Sequence, residues 1–244
     1  MEYLKDIMMK STSETLIICI HEVASRADGS LPFVVGRDLL EATITRLTRA
    51  EWQLSSLEHA ERAGHRSLVL TLDDGRAGAV EWLLSSDVVR GTPATIFPAP
   101  IFIEQPDLIP DVERYSAFSS YERLHDAVRV GHAIGSHGVT HRRLPDLSDE
   151  ELKSELSDSR HRLEDRFGQL IDRLALPYGR SSHKVIRYAR QHGYTKIMTT
   201  QRGCNTAAEF DAGVLLRFGM RSDRQDLGLP PGVFETSGNG PYCS

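Results

Sequence analysis

Short aliphatic and β-branched runs alternate along the chain with longer stretches whose apolar positions recur every three or four residues. Thr15 to Ile20 reads as a buried strand, and 67–71 as another that runs on to Leu72. Further strands are expected over 94–97, 173–176, 194–199 and 213–218. Between them a helix opens at Asp38 with Leu39, Leu40, Thr43, Ile44 and Leu47 on one face, and a shorter one is expected over 52–62. Helices also read over 77–84, over 121–130 with a strand after it, and over 182–192, which Gly193 closes. Ser148 and Glu151 form a capping box, and the helix they start carries Leu152, Leu156, Ser159, Leu163 and Phe167 on one face before Gly168 stops it. Charges fill its other side, which reads as solvated surface. Residues 98–117 hold four prolines and no clean period, which suits a loop or rim.

Strands alternating with helices across short links imply parallel strands with helices outside. About seven such units favour an α/β fold of the distorted (β/α) barrel type over an open sheet. A chain of 244 residues suits one domain, 1–244. No Gly-x-Gly-x-x-Gly or Walker pattern follows a strand, which argues against a nucleotide site. A net charge of -5 with scattered Arg and Lys argues against a nucleic-acid partner. Cys19, Cys204 and Cys243 are irregularly spaced and predict neither a disulfide framework nor a thiolate metal site, so a reducing compartment is expected. The acids Glu2, Asp6 and Glu14 and the short apolar run 16–20 match neither a leader nor a membrane span, so a cytoplasmic protein is expected.

The chemistry centres on Leu72-Asp73-Asp74-Gly75. Two carboxylates and a glycine directly after a buried run place the acids at a strand's end, projecting into a cleft, with Gly75 allowing a special backbone angle or a close approach. Adjacent acids repel, which favours a cation beside one and a base in the other. Taken alone, Asp-Asp-Gly also fits a solvated turn. A second segment, Ser136-His137-Gly138-Val139-Thr140-His141, changes that balance. Two histidines four residues apart can converge on one ion, with a carboxylate from elsewhere completing three ligands. His21, which follows the first strand, is by default a structural histidine.

Thr71-Leu72-Asp73-Asp74-Gly75, Ser136 to His141 and Leu174-Ala175-Leu176-Pro177-Tyr178-Gly179 resemble, in order and separation, the three signatures of the polysaccharide deacetylase family (NodB homology, carbohydrate esterase 4). The likeness spans roughly 17–200, and its motif style is similar to the poly-N-acetylglucosamine deacetylase branch. The resemblance implies that Asp74, His137 and His141 bind one divalent metal ion, zinc first, with cobalt or nickel as options. It implies Asp73 as general base and the Tyr178 backbone N–H as oxyanion donor, with Pro177 and Tyr178 against the substrate. In that branch an N-terminal histidine replaces a later Leu-x-His signature. This chain has His21 there and no Leu-x-His after residue 180, so His21 is the candidate general acid, with His183 and His192 as less suitable alternatives.

Many relatives carry an arginine where this chain has Ala175. Arg173, two residues earlier on the same strand face, could substitute in part. Arg217 and Arg221 are further sources of charge, although exposed surface positions are the default expectation for them. The implied activity is metal-dependent removal of N-acetyl groups from an N-acetylated oligo- or polysaccharide or a lipid-linked precursor. The alternatives are hydrolysis of cyclic amides or ureides on the same fold, or an inactive carbohydrate-binding barrel.

Overall fold

Strand β1, Thr15–Ile20, has no exposed residue, because a parallel strand covered on both faces must be apolar throughout. In chain order there follow β2 (Glu22–Ala24), β3 (Val34–Gly36), β4 (Gln53–Ser55), β5 (Ser67–Asp74), β6 (Thr95–Pro98), β7 (Ala133–Ile134), β8 (Arg173–Ala175), β9 (Lys196–Met198), β10 (Val214–Leu215) and β11 (Phe218–Gly219). The computed structural model describes residues 13–27, 29–109 and 115–236.

Every strand pairing is parallel. One sheet runs β11-β1-β5-β6-β7 with β4 also on β5, a second runs β10-β9-β8, and β2 pairs with β3 apart from both. A parallel bridge between Ser136 and Leu174 joins the first two sheets. The curved wall they form, with helices in the connections, is the distorted (β/α) barrel expected from the alternation. At the β10/β11 seam, side chains replace the ladder: Asn205 Nδ2 donates to the Leu216 carbonyl at 2.9 Å, and Leu216 N donates to Asn205 Oδ1 at 2.8 Å.

The first helix, Arg37–Arg49, buries Leu40, Thr43, Ile44 and Leu47, whereas Leu39 points outward at 50% exposure. The long helix Asp149–Phe167 has the capping box at Ser148 and Glu151, and Gly168 ends it in the left-handed conformation.

Three expectations change. Residues 52–62 are not one helix: Gln53–Ser55 pairs with β5, and only the four residues Leu57–Ala60 coil, capped by Ser56. The expected strand over 213–218 is two short strands in different sheets, and the break between them contains Arg217. The proline-rich stretch after β6 contains a helix, Pro100–Glu104, and a 3-10 turn, Pro106–Leu108. Residues 1–12, on which most of the N-terminal reading rests, lie outside the described residues. No helix among the described residues is long and apolar enough to cross a membrane. Cys19 is free and buried, but Cys204 is disulfide-bonded. Disulfides persist in oxidising compartments, so the cysteine spacing gives no argument for a reducing one.

Candidate active site

The two acids are the last residues of β5, register-paired with Phe97 and Pro98 of β6, and both are buried. The strand therefore extends further than 67–72, carrying the carboxylates inside the barrel mouth. Gly75 has φ +71°, and a Cβ there would sit 3.1 Å from the Pro98 Cβ, so both reasons for a glycine apply.

The turn directs the two carboxylates differently. Both oxygens of Asp73 accept from Arg217, Oδ1 from Nη1 at 2.7 Å and Oδ2 from Nη2 at 2.8 Å. The Cys19 thiol also donates to Asp73 Oδ2 at 3.2 Å. Burial alone would raise the Asp73 carboxyl, but Arg217 and then His137 outweigh it and hold the group well below the usual carboxylate range. Asp74 Oδ2 accepts from Arg76 Nε at 3.0 Å, while its Oδ1 is buried without a hydrogen-bond donor.

That orphaned oxygen faces His137 Nε2 at 3.5 Å and His141 Nε2 at 3.4 Å. Ligands about 2.0–2.1 Å from a tetrahedral zinc stand roughly 3.3 Å from one another, so these separations fit one shared ion. His137 Nδ1 lies 2.8 Å from the Ala175 carbonyl, which makes Nδ1 the protonated nitrogen and leaves the Nε2 lone pair open toward Asp74. Burial raises the Asp74 carboxyl, but His137, His141 and His21 together draw it well below its ordinary range. The donor set fits a divalent cation, with Asp74, His137 and His141 as the residues that would hold it.

Local backbone strain is concentrated here. Asp74, His141 and Tyr178 all have positive φ, at 66°, 55° and 58°, a conformation costly for residues with a Cβ and one that clusters at functional sites. Glu155, on the Asp149–Phe167 helix, holds the histidine segment in place. It accepts from the N–H groups of Val139 at 2.7 Å and Thr140 at 3.0 Å, and from the Thr140 hydroxyl. Its carboxylate is buried, so the reading of that helix's charges as solvated surface fails at this position. The sequence did hold the signal, since 155 lies three residues after Leu152 on the buried stripe.

His21 leaves β1 beside this centre, with its Nδ1 buried and lacking a hydrogen-bond partner and its ring 5.0 Å from Phe33. Burial lowers its pKa, and Asp74 and Asp73 partly oppose that. His183 and His192 do not line the cleft. Tyr178 projects its ring into the cleft 4.7 Å from the His141 ring, whereas Pro177 is buried and is not part of the lining.

The missing arginine is supplied from the far end of the chain. Arg217 is fully buried, against the default expectation of an exposed position, and its Nε also donates to the Thr199 carbonyl at 3.0 Å. Arg173 does not reach Asp73; it pairs with Glu58 and donates to Thr95 Oγ1 at 3.0 Å. Arg76 was not singled out in the sequence, although it directly follows the Asp-Asp-Gly turn. It is buried and lies over the Tyr115 ring at 3.8 Å.

A parallel α/β barrel with an Asp-His-His group at the carboxyl ends of its strands, and a second aspartate beside it, defines a hydrolase-type centre. Residues 60–197, more than half of the chain, match the polysaccharide deacetylase family model, and the chain belongs to that family. It is 24% identical over 158 residues to the protein YxkH of Bacillus subtilis (strain 168), which is named as a polysaccharide deacetylase. The match covers 65% of this chain and 52% of that protein, so the chain spans about half the length of that curated relative. The fold is similar to the Streptococcus pyogenes deacetylase PplD, solved in complex with acetate (TM-score 0.72, 20% identity, 87% of this chain and 95% of that one). It is also similar to IcaB from Ammonifex degensii (TM-score 0.71, 17% identity, 86% and 93%).

Proposed function

We propose that this chain, acting as a single catalytic unit, removes N-acetyl groups from an N-acetylated oligo- or polysaccharide or a lipid-linked sugar precursor. It would do so with one divalent ion, zinc by preference, held by Asp74, His137 and His141. The observation that carries this is the buried, donor-less Asp74 Oδ1 facing two imidazole nitrogens at 3.4 and 3.5 Å. When bound, such an ion supplies Lewis acidity that makes water nucleophilic and an amide carbonyl electrophilic at neutral pH.

The chain's own groups account for the remaining steps. Asp73, kept ionised by Arg217, takes a proton from the attacking water. Attack on the acetyl carbon creates a tetrahedral oxyanion, and the Tyr178 N–H is the donor assigned to it, in a turn whose positive φ sets its direction. The C–N bond breaks only when the departing nitrogen receives a proton. His21, beside Asp73, is the group assigned to deliver it as an imidazolium, and the proton that Asp73 took from water restores His21 after the amine and acetate leave.

The test is Asp74→Ala. Metal content by mass spectrometry and acetate release from N-acetylglucosamine oligosaccharides should both fall to background. Retention of either would refute the site assignment.

A further inference from the structure

A cleft of about 1200 Å³ lies over the Asp74, His137 and His141 group. Its lining is strongly basic for a chain of net charge -5: beyond Arg76 it includes Arg142, Arg143, Arg202, Arg221 and Arg224. Apart from Asp73 and Asp74, whose charge Arg217 and the imidazoles face, Asp146 is the one acid in that lining among the described residues. Arg142 is paired with Glu151, and Arg221 with Asp223. Arg143, Arg202 and Arg224 form no ion pair among the described residues.

Two of these guanidinium groups stand one aromatic ring away from the reacting centre. Arg143 lies 5.3 Å over Tyr178, whose ring is 4.7 Å from that of His141. Arg221 lies 4.9 Å over Phe33, whose ring is 5.0 Å from that of His21. Both aromatic rings are exposed, Tyr178 at 48% and Phe33 at 39%. Asp223 takes the N–H fork of Arg221, whereas Arg143 over the Tyr178 ring keeps its own for a planar or tetrahedral oxyanion.

A neutral sugar polymer would give these groups nothing to neutralise, and a phosphate ester, with more acceptor oxygens than a carboxylate and up to about two negative charges as a monoester, answers more of them at once. We propose, resting on the deacetylase reading above, that the substrate is an N-acetylated sugar bearing a phosphate ester. Its oxygens are held at the cleft by Arg143 and Arg224, and Arg202 adds to the positive field. The phosphate fixes which sugar along a chain presents its acetamide to Asp73.

Calorimetric binding of N-acetylglucosamine 1-phosphate and N-acetylglucosamine tests this at low and physiological salt. Acetate release is compared in parallel for a β-linked N-acetylglucosamine tetrasaccharide with and without a phosphate ester. The ester is expected to raise affinity and kcat/KM by about tenfold or more, as charge-assisted hydrogen bonds do. The advantage should shrink as salt rises. The double variant Arg143→Gln, Arg224→Gln should cut the ratio of phosphorylated to neutral kcat/KM at least several-fold, and Arg143→Lys should restore only part of what Arg143→Gln loses. Equal binding of the two ligands, or a ratio that the double variant leaves unmoved, overturns the proposal. Acetate release from the neutral tetrasaccharide without any phosphate advantage overturns it alone, whereas no release from either tetrasaccharide overturns the deacetylase reading with it. A polyprenyl-phosphate-linked N-acetylated sugar run beside the soluble one separates a lipid carrier from a soluble polymer as the source of the ester, and a faster rate than the neutral control with either supports phosphate recognition.

Discussion

Arg217 and Asp73 are 144 residues apart in sequence and meet in a two-point contact, 2.7 and 2.8 Å, at the foot of the cleft. Neither side chain is more than 3% exposed. An ion pair so buried is tolerated because further donors are used too: Arg217 also donates to the Thr199 carbonyl and to Thr71 Oγ1.

Removing one partner of such a pair strands the other charge in the interior. Arg217→Ala should cost about 3–5 kcal/mol of stability, read by urea unfolding. Arg217→Lys, which cannot make the two-point contact, should fold better than the alanine variant and still lose acetate release. Full activity in the lysine variant would show that the geometry of the pair is not needed.

Glu155 serves two backbone N–H groups of the segment between His137 and His141. Glu155→Ala leaves both without this acceptor and should weaken metal affinity by about 10–100-fold, the usual effect of losing a group that orients metal ligands. Competition with a chromogenic chelator measures this. An unchanged affinity would make Glu155 a matter of folding alone.

Arg76 fixes the Asp74 oxygen that does not face the histidines. Arg76→Met keeps the apolar stem but frees that oxygen, so the carboxylate can rotate. Metal affinity should drop by about tenfold or more in the same titration. Equal affinity in the variant would mean that the β5 turn alone sets the carboxylate.

The capping box gives a pH prediction. The Ser148 backbone N–H, with Arg142 and the Ser148 side chain, holds the Glu151 carboxyl down from 4.5 to about 2. Because the folded value lies below the unfolded one, this stabilisation is complete above about pH 4.5 and is lost as pH falls toward 2. The stability difference between wild type and Glu151→Gln should therefore narrow over that window in denaturant titrations at successive pH values. A constant difference from pH 6 to pH 2 would contradict the linkage.

Local pattern was enough for much of this protein. The buried run of β1, the capping box at Ser148, the Gly75 turn and the four-residue spacing of His137 and His141 are legible because each depends on residues near one another in sequence. So is the alternation of strand and helix, from which parallel pairing and a barrel follow. What the sequence left open depends on contacts between distant segments. Residues 52–62 look helical until β5 offers Gln53–Ser55 an edge to pair with. Arg217 looks like a surface arginine until the break between β10 and β11 turns it inward onto Asp73. Arg173 has the right strand parity, yet Glu58 and Thr95 hold it elsewhere. A charged side chain carries no mark of burial in its own neighbourhood; only the folded chain brings the opposite charge that makes burial tolerable.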